Sequence, residues 1–319
     1  MDAYIAVDAG GTQIRTALFQ ACLKNIEPLK MQRTPTRSKP ETFDTLTAAI
    51  EEIWPQDLRV CGIGVAVPGP LDPVTGVVSF TANIPDWENF PLKDRLETYF
   101  NVPAAVGNDA NMAALGEWKY GAGVGHQNLI YITISTGIGS GIICDGHLLL
   151  GQRGLAGELG HITVIPENGP MCGCGKRGHL EAVASGTGIA RYVAEQLANG
   201  RTSLLRKQQP DAREIGDAAR RGDALSIEAF HRAGTYLGRS LADALHIFNP
   251  SILILGGGVT QSADLFFDAM HAAIEASVLS PDYTNDLVIT TPALGDIAGL
   301  QGARCLAEIS FPLNEYQKG

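Results

Sequence analysis

The feature that most constrains the fold is a plan that occurs twice: an apolar strand, a glycine-rich turn and a second strand. The first copy spans residues 4–19 around Ala9-Gly-Gly-Thr12, and the second spans 128–144 around Thr136-Gly-Ile-Gly139. The copies start about 125 residues apart, and a repeat on that scale indicates an internally duplicated protein. Such a duplication predicts two lobes with a ligand bound between them.

Strands alternate with helices along the chain, and this alternation predicts an α/β fold. Apolar runs predict buried strands at 59–67, 104–107, 251–255 and 287–290. Helical spacing of apolar residues predicts helices at 41–53, 109–119, 185–198, 211–221, 223–247, 260–277 and 299–309. We expect a small lobe at 1–120, which the C-terminal helix at 296–319 completes, and a large lobe at 121–295.

The charge balance excludes several partners. Thirty-four acidic residues against 24 basic ones give a formal net charge of −10. A chain this acidic has no general attraction for nucleic acid or for an anionic membrane, and no run of 18 apolar residues predicts a membrane span. The N-terminus also lacks a basic segment ahead of an apolar one. We therefore expect a cytoplasmic protein whose six cysteines are reduced thiols or metal ligands.

Three glycine-rich turns are candidates for binding a nucleotide, although each one alone is more typical of a tight turn. None fits a Walker or a Rossmann motif. Glycine lets backbone N–H groups converge on a phosphate, and a carboxylate at a strand end can hold Mg²⁺. The candidates are Asp8, Gly10, Gly11 and Thr12 in the first turn, Thr136 and Gly137 in the second, and Gly257 and Gly258 in the third.

Four motifs, in order along nearly the whole chain, resemble those of the ROK family of sugar kinases, within the hexokinase/actin-like superfamily. Asp8-Ala-Gly-Gly-Thr12 resembles the first phosphate motif, and Asn108-Asp-Ala-Asn111 resembles the catalytic segment. Glu158-Leu-Gly-His161 matches the sugar motif ExGH, and the segment from Cys172 to Glu181 follows the zinc motif CxCGxxGCxE. The resemblance implies a two-lobed, actin-like ATPase fold, which is ribonuclease H-like, with a ligand cleft between the lobes.

The zinc segment departs from the family pattern at one position. His179 stands where the family has its third cysteine, and histidine is also a good zinc ligand. We therefore expect a structural zinc ion held by His161, Cys172, Cys174 and His179. Without the resemblance, the two cysteines are equally typical of a pair of reduced thiols.

The resemblance also implies that Asp109 is the general base that takes the proton of the attacking sugar hydroxyl. An aspartate at a helix start is otherwise more typical of an N-cap. ATP with Mg²⁺ would bind the three glycine-rich turns, with the adenosine near Gly257 and Gly258. The residues that would hold the sugar are Gly69, Asn83, Asn108, Asp109, Glu158, His161 and Glu181, although Asn83 is equally typical of a turn.

These observations predict an ATP-dependent sugar kinase that converts glucose to glucose 6-phosphate. N-acetylmannosamine and N-acetylglucosamine stay open as alternative substrates. A sugar-responsive transcriptional regulator of the same family is a more distant alternative, because it would carry a DNA-binding domain before the first phosphate motif. Here seven residues precede Asp8. The presence of Asp8 and Asp109 argues against a third alternative, a sugar-binding protein without catalytic activity. The family implies a homodimer or a homotetramer.

Overall fold

The chain alternates strands with helices, as the sequence predicts, and the computed structural model describes residues 1–21, 26–37, 39–81, 83–205 and 207–313. The strands are β1 (Asp2–Ala9), β2 (Gln13–Gln20), β3 (Lys30–Pro35), β4 (Arg59–Val67), β5 (Val77–Val78), β6 (Phe90–Pro91), β7 (Ala104–Asn108), β8 (Leu129–Ile134), β9 (Ile138–Cys144), β10 (His147–Leu148), β11 (Ile252–Gly256) and β12 (Val288–Thr290). The α-helices are α1 (Thr42–Ile53), α2 (Leu92–Phe100), α3 (Asp109–Tyr120), α4 (Glu181–Ala184), α5 (Gly186–Ala198), α6 (Ala212–Arg220), α7 (Ala224–Phe248), α8 (Phe267–Ser277) and α9 (Ala298–Ser310).

The chain divides into two compact units. The first unit contains Met1–His126, Gly141–Gly157 and Pro292–Gly319, and the second contains Gln127–Ser140 and Glu158–Thr291. Our expected lobes, 1–120 with 296–319 and 121–295, stay a prediction.

The first sheet has the strand order β3-β2-β1-β4-β7. β1 and β2 form an antiparallel hairpin, whereas β4 runs parallel to β1 and β7 runs parallel to β4. This arrangement places the ends of β1, β4 and β7 at the same edge of the sheet, because the carboxyl ends of parallel strands align. Asp8, Val67 and Asn108 lie at or next to those ends.

Helix α9 covers one face of the first sheet, and at Gly64 the backbones of the helix and the sheet are in direct contact. A Cβ on Gly64 of β4 would lie 1.8 Å from the carbonyl oxygen of Ala303 in α9. The first unit also buries an apolar core in which Trp87 and Leu46 have no solvent exposure. The C-terminal helix expected at 296–319 is shorter: α9 ends at Ser310, and residues 314–319 lie outside the described residues.

The second sheet has the order β10-β9-β8-β11-β12. β11 runs parallel to β8 on one side and to β12 on the other, and its five residues are all buried. The 25-residue helix α7 ends at Asn249, which has a left-handed backbone with φ 42° before Pro250. This end confirms the helix terminator that Asn249-Pro250 predicts.

Several elements differ from the sequence expectation, which did not include the strands β3, β5, β6 and β10 or the short helix α4. The predicted helix at 260–277 is wrong in its first part: Gly258–Leu265 is a 3-10 helix, with non-helical backbone angles at Ser262, and α8 starts at Phe267. The sequence analysis also missed α2, which buries only Leu92 and Leu96 and so carries a weak apolar pattern. In the part of the chain that the structure describes, no helix is long and apolar enough to cross a membrane.

Candidate functional site

The first glycine-rich turn connects β1 to β2 in the first unit. The backbone N–H of Gly10 donates to the carbonyl oxygen of Gln13 at 2.9 Å, and Thr36 Oγ1 donates to the carbonyl oxygen of Gly10 at 2.6 Å. These two bonds hold the turn in one conformation. Thr12 is exposed at its tip, where its hydroxyl is available to a ligand.

Asp8 lies beside this turn in an environment that disfavours its charge. The pKa of its carboxyl is raised by burial, and Asp296 adds to the rise while Arg15 opposes it. Arg15 Nη1 donates to Asp8 Oδ2 at 3.3 Å and to the carbonyl oxygen of Asp296 at 2.6 Å. A carboxylate in such a position gains stability from a bound cation, because a nearby positive charge favours the ionised form.

Arg15 is a residue that the sequence analysis missed. In the hairpin register Asp8 pairs with Arg15, so the arginine and the carboxylate lie opposite each other on neighbouring strands. The sequence could have indicated this pair, because the turn between Gly10 and Gln13 sets which residues of β1 and β2 face each other.

Gly11 and Asn83, which were predicted to serve different ligands, are in direct contact in the first unit. A Cβ on Gly11 would lie 2.4 Å from the Cβ of Asn83. Asn83 itself is exposed, and its backbone N–H donates to Thr81 Oγ1 at 3.4 Å. Glycine at position 11 is thus required by a neighbouring side chain, whether or not a phosphate also needs its backbone N–H.

Asn108, and not Asp109, caps helix α3. The Asn108 Oδ1 atom accepts hydrogen bonds from the backbone N–H groups of Ala110 at 3.0 Å and Asn111 at 3.3 Å. Its Nδ2 atom donates to the carbonyl oxygen of Gly69 at 3.1 Å. Gly69 has φ +88°, and a Cβ there would lie 2.3 Å from the carbonyl oxygen of Phe80. Asn108 therefore joins the start of α3 to the loop after β4.

Asp109 is the first residue of α3 and is exposed. Its Oδ1 atom accepts a hydrogen bond from the backbone N–H of Ala110 at 2.8 Å. A negatively charged side chain at this position interacts favourably with the helix dipole. The N-cap alternative for Asp109 is wrong, because Asn108 performs that function.

The second glycine-rich turn, in the second unit, adjoins Glu181. The backbone N–H of Ile138 donates to Glu181 Oε2 at 3.1 Å, and a Cβ on Gly137 would lie 2.5 Å from the same oxygen. Glu181 is the first residue of α4, and its Oε1 atom accepts from Cys172 Sγ at 3.1 Å. One carboxylate thus links the turn at Gly137 to the cysteine segment.

A cavity of about 610 Å³ lies within the second unit, next to the second and third glycine-rich turns. Its lining includes Thr136 from the second turn and Gly258 from the third. No atom lies within 4 Å of a Cβ built on Gly258, whereas a Cβ on Gly257, which has φ +92°, would lie 2.3 Å from the carbonyl oxygen of Ile134. Gly258 therefore leaves open space for a ligand, and Gly257 is required by the backbone of β8.

Glu158 precedes the 3-10 helix Leu159–His161, which brings the two ends of the ExGH motif close together. Burial raises the pKa of the Glu158 carboxyl, and the nearby Glu181 adds to the rise while His161 opposes it. The backbone N–H of Leu159 donates to Ser140 Oγ at 3.2 Å. The second unit thus holds two carboxylates and an imidazole close to one another.

The segment that carries the cysteines is a folded-back hairpin. Thr163 pairs with His179, and Met171 pairs with Arg177. A Cβ on Gly178, which has φ +73°, would lie 1.8 Å from the carbonyl oxygen of Ile165, so only glycine lets the two sides approach. This fold brings Cys172 and Cys174 against two histidines.

The four predicted metal ligands converge. One ligand atom from each of His161, Cys172, Cys174 and His179 lies within 4.8 Å of the others. The Cys172 Sγ and His161 Nδ1 atoms are 3.7 Å apart, and the Cys174 Sγ and His179 Nδ1 atoms are 3.3 Å apart.

The two sulfur–nitrogen distances, though not the wider spread of 4.8 Å, match those around a tetrahedral zinc ion. Zn–S and Zn–N bonds of ordinary length place tetrahedral ligand atoms about 3.3 to 3.8 Å apart. The donor set of two thiols and two imidazoles is also one that zinc prefers. In the absence of metal, burial and the hydrogen bond to Glu181 raise the pKa of the Cys172 thiol to about 12. A cation would favour its thiolate.

The predicted site residues therefore fall into two groups, one in each unit. The first unit holds Asp8, Gly10, Gly11, Thr12, Gly69, Asn83, Asn108 and Asp109. The second unit holds Thr136, Gly137, Glu158, His161, Cys172, Cys174, His179, Glu181, Gly257 and Gly258.

Residues 4–309 match the ROK family. The glucokinase of Thermotoga maritima is 35% identical over 94% of this chain and 95% of its own length. The glucokinase of Halalkalibacterium halodurans is 36% identical over 99% of this chain and 97% of its own length. The xylose repressor of Bacillus spizizenii is 32% identical over 84% of this chain, but this match covers only 66% of the repressor.

Solved structures resemble this chain over a similar length. The ROK hexokinase from Thermus thermophilus is 33% identical, with a TM-score of 0.82 and coverage of 97% of this chain and 98% of its own. A ROK family glucokinase from Streptomyces griseus, in complex with glucose and AMPPNP, is 34% identical, with a TM-score of 0.74 and coverage of 94% and 97%. This chain belongs to the ROK family, and the α/β fold that its sequence predicts is confirmed.

Proposed function

We propose that this chain transfers the γ-phosphoryl group of ATP to the 6-hydroxyl of glucose. The observation that carries the proposal is the match to curated glucokinases, which extends over 95% and 97% of their lengths. The broader assignment does not depend on which sugar is the substrate: the chain is an ATP-dependent sugar kinase. The similar structure that holds glucose and AMPPNP supports both substrates.

Asp109 is the proposed general base. As the sugar hydroxyl attacks, its proton passes to the Asp109 carboxylate, a bond forms between the hydroxyl oxygen and the γ-phosphorus, and the bond to the β-phosphate oxygen of ATP breaks. The products are glucose 6-phosphate and ADP. The exposure of Asp109 at the start of α3 supports this role.

The phosphates and Mg²⁺ are proposed to lie at the first and second glycine-rich turns. Asp8 would contribute the carboxylate on the magnesium side, and Gly10, Gly11, Thr12, Thr136 and Gly137 would contribute backbone N–H groups and hydroxyls. The open space at Gly258, in the cavity of about 610 Å³, supports a place for the adenosine there.

Glu158, His161 and Glu181 are proposed to bind the sugar hydroxyls, and Asn83, Asn108 and Gly69 are proposed to contribute further contacts to the sugar. Zinc held by His161, Cys172, Cys174 and His179 would supply structural order only, because four protein ligands leave no open position for chemistry. His161 would then present its second ring nitrogen in a fixed orientation, which is how a metal commonly acts on a neighbouring pocket.

An N-acetylhexosamine kinase is the alternative, and one assay decides between the two. ADP release is measured with glucose, mannose, fructose, N-acetylglucosamine and N-acetylmannosamine at equal concentrations. We expect the highest kcat/KM with glucose. A higher kcat/KM with either N-acetylhexosamine would assign the chain to the alternative, and ADP release with none of the five would contradict the proposal.

A further inference from the structure

Arg191 contacts both ends of the cysteine segment from a helix that carries none of the predicted site residues. It lies in the second turn of α5. Its Nη1 atom donates to the carbonyl oxygen of Met171, and its Nη2 atom donates to the carbonyl oxygen of Ala182. One planar guanidinium therefore bridges two backbone positions that are 11 residues apart in the chain.

Each acceptor is the direct neighbour of a residue in the proposed sugar pocket or metal site. Met171 precedes Cys172, and Ala182 follows Glu181. Cys172 and Glu181 are in turn joined by the hydrogen bond of 3.1 Å from Sγ to Oε1. Arg191 thus closes a ring of contacts that runs from Met171 through Cys172 and Glu181 to Ala182.

The surroundings of Arg191 favour this bridge over a surface role. The Glu195 carboxylate is 4.0 Å from Nε, so it leaves both terminal nitrogens to the two carbonyl groups. Helix α5 approaches α4 closely because Gly188 has no side chain: a Cβ there would lie 2.8 Å from the same Ala182 carbonyl oxygen. Ala182 is also buried, so water does not readily replace the guanidinium at its carbonyl group.

We propose that Arg191 is a positioning residue for sugar binding, because its guanidinium holds Met171 and Ala182 and thereby fixes the orientations of Cys172 and Glu181. This inference rests on the proposed role of Glu181 in holding the sugar. Lysine cannot replace arginine here, because one ammonium group lacks the planar pair of donors that reaches two separate carbonyl groups.

The test compares Arg191→Met and Arg191→Lys with the unmodified protein. For both variants we expect the KM for glucose to rise about tenfold, the lower end of what loss of a supporting contact costs. We expect kcat and the KM for ATP to stay within about twofold, the usual range for a change away from the reacting groups. Guanidinium added at millimolar concentration is expected to lower the raised KM of Arg191→Met but not that of the unmodified protein.

Two control variants separate the bridge from its surroundings. Glu195→Gln removes the partner at 4.0 Å and keeps both carbonyl contacts. Arg201→Met removes an arginine that pairs with Glu228 at 2.8 Å on the surface of the same unit. Both controls are expected to keep the KM for glucose.

Backbone hydrogen exchange gives a readout that does not depend on activity. We expect faster exchange at residues 171–184 in both Arg191 variants, with unchanged exchange in the first unit. Unchanged exchange and an unchanged KM for glucose in either folded variant would overturn the proposal. Faster exchange with an unchanged KM would also overturn it, because the bridge would then serve the fold alone. If Arg191→Met does not fold, Arg191→Lys decides.

The failure of the proposed function would look different. In that case the unmodified protein would not phosphorylate glucose, and Glu181→Gln would not change glucose binding measured by calorimetry. Exchange at residues 171–184 and the zinc content of the Arg191 variants would then decide whether the bridge exists. Normal exchange and normal zinc content would reject it.

Discussion

Glu181 occupies the space that a side chain at residue 137 would need, because a Cβ on Gly137 would lie 2.5 Å from the Glu181 Oε2 atom. The turn proposed for phosphate and the carboxylate proposed for sugar are therefore packed against each other within the second unit. A change at Gly137 must displace one of them.

Gly137→Ala is expected to raise the KM for glucose by about tenfold to hundredfold, since a shift of about 1 Å in a positioning group costs that much. Gly173→Ala is the matched control, because its Cβ would lie 3.7 Å from the other Glu181 oxygen, an ordinary contact distance. Steady-state kinetics with varied glucose measures both. Equal effects of the two variants would show that the position of the Glu181 carboxylate does not determine the KM for glucose.

Asp109→Asn is expected to lower kcat by about 10²- to 10⁴-fold, the range for loss of a general base, with sugar binding nearly unchanged. Asp94→Asn makes the same chemical change in the first turn of another helix of the same unit, and we expect it to keep its activity. Glucose binding is measured by calorimetry and kcat by ADP release. An Asp109→Asn variant that retains more than half of the kcat would contradict the assignment of the base.

The raised pKa of Asp8 predicts how ATP use depends on pH. Because the raised pKa makes the carboxyl take up its proton at a higher pH than an exposed aspartate does, the KM for ATP is expected to rise as pH falls through that pKa. Arg15 lowers this pKa, so Arg15→Gln is expected to move the rise to higher pH. The KM for ATP, measured between about pH 5 and 8, tests both statements. A profile that Arg15→Gln does not move would show that Asp8 is not the titrating group.

The same pKa also predicts an effect on stability. A carboxyl with a raised pKa in the folded state contributes stability that is present below its unfolded pKa and is lost as pH rises through the folded value. Above that value the ionised Asp8 therefore costs stability, and Asp8→Asn is expected to raise Tm while it weakens ATP use. The measurement is a thermal melt beside the KM for ATP. A lower Tm would show that the contact with Arg15 outweighs the cost of burial.

The proposed zinc site predicts different outcomes for two changes at one residue. His179→Cys is expected to keep one zinc ion per chain, because a tetrahedral zinc site accepts either ligand. His179→Ala is expected to lose zinc and to raise the KM for glucose by about tenfold or more, with little effect on the KM for ATP. Metal analysis of the purified proteins checks the zinc content. Full activity of unmodified protein that contains no zinc would show that zinc binding by the cysteines is not needed for activity.

The sequence predicted most strands, the main helices and the four residues that converge at the metal site. These features depend on local pattern and on motifs, which a single chain displays. The start of α3 shows the limit: an aspartate at a helix start is typical of an N-cap, but the preceding Asn108 makes the capping hydrogen bonds to the N–H groups of Ala110 and Asn111. A motif fixes which residues are present but not which neighbour each one contacts.

The contact between Gly11 and Asn83 shows the same limit across a longer distance. The two residues are 72 positions apart, and nothing in the local pattern relates them. Helix α2 was missed for another reason: with two buried side chains, its apolar signal is weak, and neighbouring elements stabilise it. Long-range packing is therefore the part of the fold and of the site that required coordinates.

The most direct test of the central claim is ³¹P NMR of a mixture of the unmodified protein, ATP, Mg²⁺ and glucose. The account predicts that the γ-phosphate signal of ATP is replaced by the signal of glucose 6-phosphate, with an equal amount of ADP, and that Asp109→Asn produces neither on the same time scale. Release of inorganic phosphate without a sugar phosphate, or phosphorylation at full rate by Asp109→Asn, would contradict it.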